Sequence, residues 1–168
     1  MNESYRRFSH RYRESLLSAV SAGFFFLLVG TIFVTKPGLV DGIQKLFSAD
    51  SIKWNTTVPH TEIFLPAPTH PADHLVVYQA VGLFSLIWGI FEIAMLVLRF
   101  SLGSPTRKKA ENAGNIVFWL GTSYLINIYL NESVTIEAWF TFWAVIVMLL
   151  GFSLIIRAAV LAALRFGT

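Results

Sequence analysis

Residues 136–166, IEAWFTFWAVIVMLLGFSLIIRAAVLAALRF, run for 31 residues with only three charges: Glu137 near the start, Arg157 and Arg165 toward the end. A run this long and this apolar has one ready solvent, because about 20 mostly apolar residues suffice for a helix to cross the hydrocarbon of a bilayer. It exceeds that need, so it must tilt or project into water. Three further runs follow the same pattern. SLLSAVSAGFFFLLVGTIFVT covers about 15–35, LVVYQAVGLFSLIWGIFEIAMLVLRF about 75–100, and NIVFWLGTSYLINIYL about 115–130. The third of these is short and dotted with polar residues. Charged residues make up 14% of the 168 and hydrophobic ones 55%, too few charges to clothe a soluble domain of this size. The expected fold is all-α: one membrane domain over 1–168, a four-helix transmembrane bundle running up and down.

The basic residues orient it. With both termini and the 101–112 loop on the cytoplasmic side, ten of the thirteen Lys and Arg lie inside, from Arg6 through Lys108 and Lys109 to Arg165. Only Lys36, Lys45 and Lys53 lie outside. That bias is the positive-inside pattern of a multi-pass cell-membrane protein with cytoplasmic termini. The net charge of +3 is therefore a topology signal, and nucleic acid is not an expected partner. Membrane lipid is. No small-residue cleavage site follows the first apolar run, which reads as a retained anchor. The chain has no cysteine, which excludes disulfides, thiolate metal sites and iron–sulfur clusters.

Two segments face outward. Residues 131–135 form a tight turn that makes the last two spans antiparallel neighbours. Residues 36–74 form the long external loop. In it Leu39, Val40, Ile43, Leu46 and Phe47 recur with helical spacing after Pro37, which suits a helix start, and this reads as a short amphipathic helix at the interface. The proline-rich WNTTVPHTEIFLPAPTHPADH that follows reads as extended loop. Sequons at Asn55 and Asn131 fall in the two external segments and are candidate glycosylation sites.

The stretches VPHTEIFLPAPTHPADHLVVYQA, LIWGIFEI and SPTRKKAENAGNIVFWLGTSYLI together resemble a group of uncharacterised archaeal four-span membrane proteins. That resemblance implies an archaeal plasma membrane and carries no activity with it. Bacterial DoxX-type proteins share the size and span number, a likeness of layout alone.

Few polar residues sit inside the spans, and each needs a reason. Glu92 lies on one helical stripe with Tyr78, Gly82, Ser85, Gly89 and Arg99. Gly82, Ser85 and Gly89 are small enough to let another helix approach, so the stripe faces protein, in the bundle or in a partner chain. An ionised carboxylate at that depth costs about 2.5–3.5 kcal/mol and calls for a partner. Glu92 lies roughly 10 Å above Arg99, and Arg157 roughly 12 Å above Arg165, at 1.5 Å per residue. Equal depth on two spans makes Arg157 the expected ion-pair partner, with Thr122 and Ser123 as hydrogen-bond donors. The pair either fixes helix register or marks a proton or cation site. The first is the simpler reading, since no second buried acid is present for a relay. Asn115, Trp119, Thr122, Ser123 and Asn127 form a polar stripe that either bonds neighbouring helices or lines a hydrated cavity.

Outside the membrane, His70 and His74 stand four apart, with His60 as a third candidate ligand for an extracytoplasmic metal. The competing reading is a helix start: His70 or Thr69 as cap, Pro71 at the first position and Asp73 at the positive end. Trp54, Trp139 and Trp143 read as outer-interface aromatics. No histidine lies inside a span to hold haem, and no acid, base and nucleophile share one place. No cofactor is expected. Three functions remain. The first is a non-catalytic subunit, scaffold or self-associating protein working through the Gly82–Gly89 face. The second is an oligomeric ion channel or proton-linked transporter using Glu92. The third is a metal-binding membrane protein.

Overall fold

A computed structural model describes residues 3–48, 51–59 and 61–166. The described chain is mostly helical. Helix α1 spans Glu3–Thr35, a short α2 spans Leu39–Leu46, α3 runs Leu75–Ser101, α4 Thr106–Tyr129 and α5 Ile136–Phe166. Three stretches are long and apolar enough to cross a membrane: Glu14–Thr35, Pro71–Ser101 and Ile136–Arg165. Helix α4 does not reach that level of apolarity, because its first turns are TRKKAEN and the apolar run behind them is short. It begins nine residues before the expected start at 115, so most of the expected 101–112 loop is helix.

The chain is not wholly helical. The segment read as extended loop folds into a two-stranded antiparallel sheet, β1 (Ile52–Thr57) with β2 (Phe64–Pro68). Ile52 pairs with Pro68, Lys53 with Ala67, Thr56 with Leu65 and Thr57 with Phe64, and the register slips between Lys53 and Thr56. A two-stranded sheet has only edges, where a residue without an N–H is tolerated. Pro66 falls at the register slip, opposite residues that are out of ladder. Helix α2 forms where its apolar spacing places it, but one step late: Pro37 and Gly38 make the turn before it, with Gly38 at φ 77. Leu39 is buried against Val77 and Ala80 of α3. Lys45 of α2 pairs with Asp73 at 3.3 Å, tying this helix to the start of α3.

Neighbouring helices run antiparallel. Along α3 and α4, Glu92 lies opposite Asn115, Gly89 opposite Leu120 and Gly82 opposite Ile126. Along α4 and α5, Gly121 meets Leu149 and Gly114 meets Ser153 and Arg157. The apolar core between these helices beside the α4–α5 turn is Tyr78, Ile126, Leu130, Val134 and Phe142. Helix α1 joins through aromatic side chains. Phe24 stacks on Phe91 at 4.1 Å between ring centres, and Phe25 meets Phe84 and Trp88 edge-on. The extensive packing is thus α3 on α4 and α4 on α5, and no comparable contact closes α1 onto α5 among the described residues. The helices follow one another in a series, α1 on α3, α3 on α4 and α4 on α5.

Candidate functional site

The stripe on α3 is buried along its whole length: Tyr78, Gly82, Ser85, Gly89, Glu92 and Arg99. What it meets is α4 of the same chain. A Cβ added to Gly82 would lie 3.1 Å from Ile126, and one added to Gly89 would lie 2.5 Å from Leu120. The Gly82–Gly89 face is therefore filled from within, which removes it as the surface for a second chain. Ser85 is fully enclosed, and its hydroxyl bonds back to the Val81 carbonyl at 2.8 Å.

Glu92 finds its partners on α4. Asn115 Nδ2 donates to the Glu92 carboxylate at 3.3 Å, and Asn112 Nδ2 donates to the Glu92 backbone carbonyl at 3.3 Å. Arg157, the partner expected from depth, instead donates to Glu111 at 3.0 Å. Arg157 sits beside Gly114, one residue from Asn115, and so at about the level of Glu92 along the helices. The pairing fails because α4 lies between: α3 packs on one of its sides and α5 on the other, so each presents its charge to α4. Thr122 and Ser123 also do not reach Glu92. They lie seven and eight residues beyond Asn115 on α4, roughly 10–12 Å further along the helix. Both are buried. The Thr122 hydroxyl has no partner, and the Ser123 carbonyl accepts from Asn127 Nδ2 at 2.8 Å.

Three further ion pairs form a charged belt at this end of the helices that spacing alone did not reveal. Arg99, at 8% exposure, donates to Glu14 of α1 at 3.2 Å. Glu111 takes Arg107 at 3.1 Å and Lys108 at 3.0 Å as well as Arg157. Burial raises the Glu111 carboxyl, but Lys108 first, then Arg107 and Arg157, outweigh it and hold its pKa below the ordinary value. A glutamate in an unfolded chain titrates near about 4.3. With the folded value lower, the stabilisation is fully present above that pH and is lost as pH falls through the folded value. Unfolding of the solubilised protein should therefore ease on acidification below about 4. Glu111→Gln should be less stable at neutral pH and should flatten that acid limb, read by tryptophan fluorescence at a series of pH values.

The half of the molecule that carries the hairpin and the α4–α5 turn holds the spaces. A cleft of about 800 Å³ opens between α3 and α4 near the end of α1, with an apolar floor that includes Gly82, Leu83 and Ile126. Its rim carries Lys36, Gln79, Asn127, Asn131 and Glu132. Between this cleft and Glu92 stands the Gly89–Leu120 contact, which leaves no room at the level where a passage would run. A second cavity, of about 490 Å³, lies between the hairpin and the N-terminal end of α5 and is almost wholly apolar. Trp54, Trp139 and Trp143, expected only as scattered interface residues, line it together with Phe47 and Phe140.

The histidines part company. The segment Pro71–His74 is a 3₁₀ helix, three residues per turn, so positions four apart do not share a face. His70 is exposed at its cap position, without a side-chain capping bond, while His74 is 2% exposed and faces the Tyr78 ring at 6.4 Å. His60 lies outside the described residues. Among the described residues no group of three His, Cys, Asp or Glu could hold a metal ion. Of the sequons, Asn55 falls in β1, with its side chain outside the description. Asn131 is exposed, but its amide is engaged, donating to the Ile128 carbonyl at 3.0 Å and accepting from Ser133 at 2.7 Å. Comparison with protein-family models, with curated proteins and with solved structures finds no match.

Proposed function

We propose that this chain is a four-span integral membrane protein of the cell membrane, with both termini and the α3–α4 connection cytoplasmic, acting without catalysis as a subunit or scaffold. Helix α4 is the fourth span. It packs along both α3 and α5, each long enough to cross, and its 24 residues extend about 36 Å. Of its polar side chains Asn112, Thr122 and Ser123 are buried against its neighbours, while the exposed Asn115 and Asn127 are engaged through their amides, with the Glu92 carboxylate and the Ser123 carbonyl. The short α2, apolar on one side and tied to α3 through Lys45 and Asp73, lies at the outer interface.

The observation that carries the non-conducting reading is that the inner charges are consumed inside the chain. Glu92 is held by Asn115, Arg99 by Glu14 and Arg157 by Glu111, and the space above Glu92 is closed at Gly89. A transport reading needs a route that one chain of this packing does not provide. The partner, a second copy or another membrane protein, meets the outward side of α5, where a Cβ at Gly151 would touch nothing.

Glu92→Gln tests this. The amide oxygen of glutamine still accepts from Asn115, and the Asn112 bond to the backbone is untouched, so the variant should fold and keep its unfolding midpoint within a few degrees. Reconstituted vesicles of both proteins should show no proton or cation flux. Flux in the parent that disappears in a well-folded variant would overturn the reading. Mass measurement of the detergent-solubilised protein should find more than one chain per particle, and a lone monomer counts against the subunit role.

A further inference from the structure

We propose that the outer cleft between α3 and α4 binds one membrane lipid whose headgroup carries both a phosphate and an ammonium. The volume, about 800 Å³, is that of a ligand site and not of a packing defect. Its walls are divided by chemistry. Leu83, Leu86 and Ile126 give an apolar floor descending along α3 and α4, where an acyl or isoprenoid chain finds its own kind of surface. The rim is polar and carries opposite charges from different elements: Lys36 just past the end of α1, and Glu132 in the α4–α5 turn. Neither is in an ion pair among the described residues, while the other lining groups are uncharged. Lys36 is half-buried on the rim and has no carboxylate partner among the described residues, so its ammonium is free to take an anion from the cleft.

A phosphate at Lys36 forms charge-assisted bonds, with Gln79 and Asn127 as further donors on the same wall. An ammonium at Glu132 completes the match. A phosphodiester headgroup without an ammonium would satisfy Lys36 but bring no cation to Glu132, whose carboxylate then only repels the phosphate, so Glu132 supplies the discrimination. A water-soluble zwitterion would use the rim and leave the apolar floor bare, which makes the lipid the better occupant. The outer-leaflet position of the cleft rests on the topology proposed above, but binding by solubilised protein is read without reference to sidedness. A wrong topology and an empty cleft are therefore separate results.

The test is native mass spectrometry of the detergent-solubilised protein titrated with three probes: a phosphoethanolamine lipid, a phosphoglycerol lipid of the same chains, and soluble glycerophosphoethanolamine. The phosphoethanolamine lipid should bind about tenfold more tightly than the phosphoglycerol lipid, the worth of one charge-assisted bond. The soluble headgroup should not be retained. Lys36→Gln should weaken both lipids by about tenfold. Glu132→Gln should weaken the phosphoethanolamine lipid while strengthening the phosphoglycerol one, an exchange of preference that misfolding does not produce. Equal retention of both lipids unaffected by either substitution overturns the proposal, as does no retention of any lipid. Binding of the soluble headgroup as tightly as the lipid overturns the choice of a lipid.

Discussion

Gly89→Val should force α3 and α4 apart and cost about 1–3 kcal/mol, the range for overpacking a tight contact. The reason is local. A Cβ at Gly89 meets Leu120 Cδ2 at 2.5 Å, Cγ at 2.8 Å and the Leu120 backbone nitrogen at 3.2 Å. A side chain could swing away, but the backbone behind it cannot, and a branched residue adds two more atoms to the same space. Gly30→Ala is the matched control. Nothing lies within 4 Å of that site, so it should be neutral or gain up to about 1 kcal/mol from helix propensity. Unfolding in detergent, followed by tryptophan fluorescence, should separate the two substitutions clearly. Equal effects would mean that the α3–α4 approach is not close.

Glu14→Ala should be of comparable size or larger, about 3–5 kcal/mol, because it strands the buried Arg99 guanidinium. Glu14 is the one carboxylate in an ion pair with Arg99 among the described residues, and Arg99 Nε already has no partner. The arginine would have to leave its site or pull water in, and α1 would lose the polar tie that supplements its aromatic contacts with α3. Protease cleavage within α1 should accelerate. The double replacement Glu14→Leu with Arg99→Met should recover most of the loss, since apolar residues of similar volume serve a buried ion-pair position about as well. If the single and double changes cost the same, the pair is not buried as described.

How much of this could be read from the residues alone differs from one element to the next. The C-terminal ends of α1 and α3 were legible because their apolar runs give way to Lys36-Pro37-Gly38 and to the polar segment after Phe100, whereas the start of α1, at Glu3 and not near 15, was not. The α3 stripe was legible because small residues at helical steps have few uses in lipid other than close packing. Which helix filled it was not, since α4 and a partner chain satisfy the same pattern equally. Glu92 and Arg157 lie at a similar level along their helices, but level is one coordinate and lateral order is another. Nothing in the spacing said that α4 stands between them.

The hairpin was missed for a different reason. Its prolines argued against strand, yet Ile52 and Trp54 alternate with Lys53 and Asn55 among good β-formers, a usable signal that the proline content outweighed. The cleft was missed because Lys36, Gln79 and Glu132 are far apart in sequence and unremarkable singly. The histidine pair misled because spacing of four implies a shared face only in an α-helix.

The central claim is that α4 crosses the membrane, so that its two ends lie in different compartments. The chain has no cysteine, so single reporters can be placed without background. Ser101→Cys and Glu132→Cys, expressed separately in intact cells, should be challenged with a membrane-impermeant maleimide. Glu132→Cys should label from outside and Ser101→Cys only after the cells are opened. Labelling of both from the same side would contradict the four-span account and return α4 to one face of the membrane.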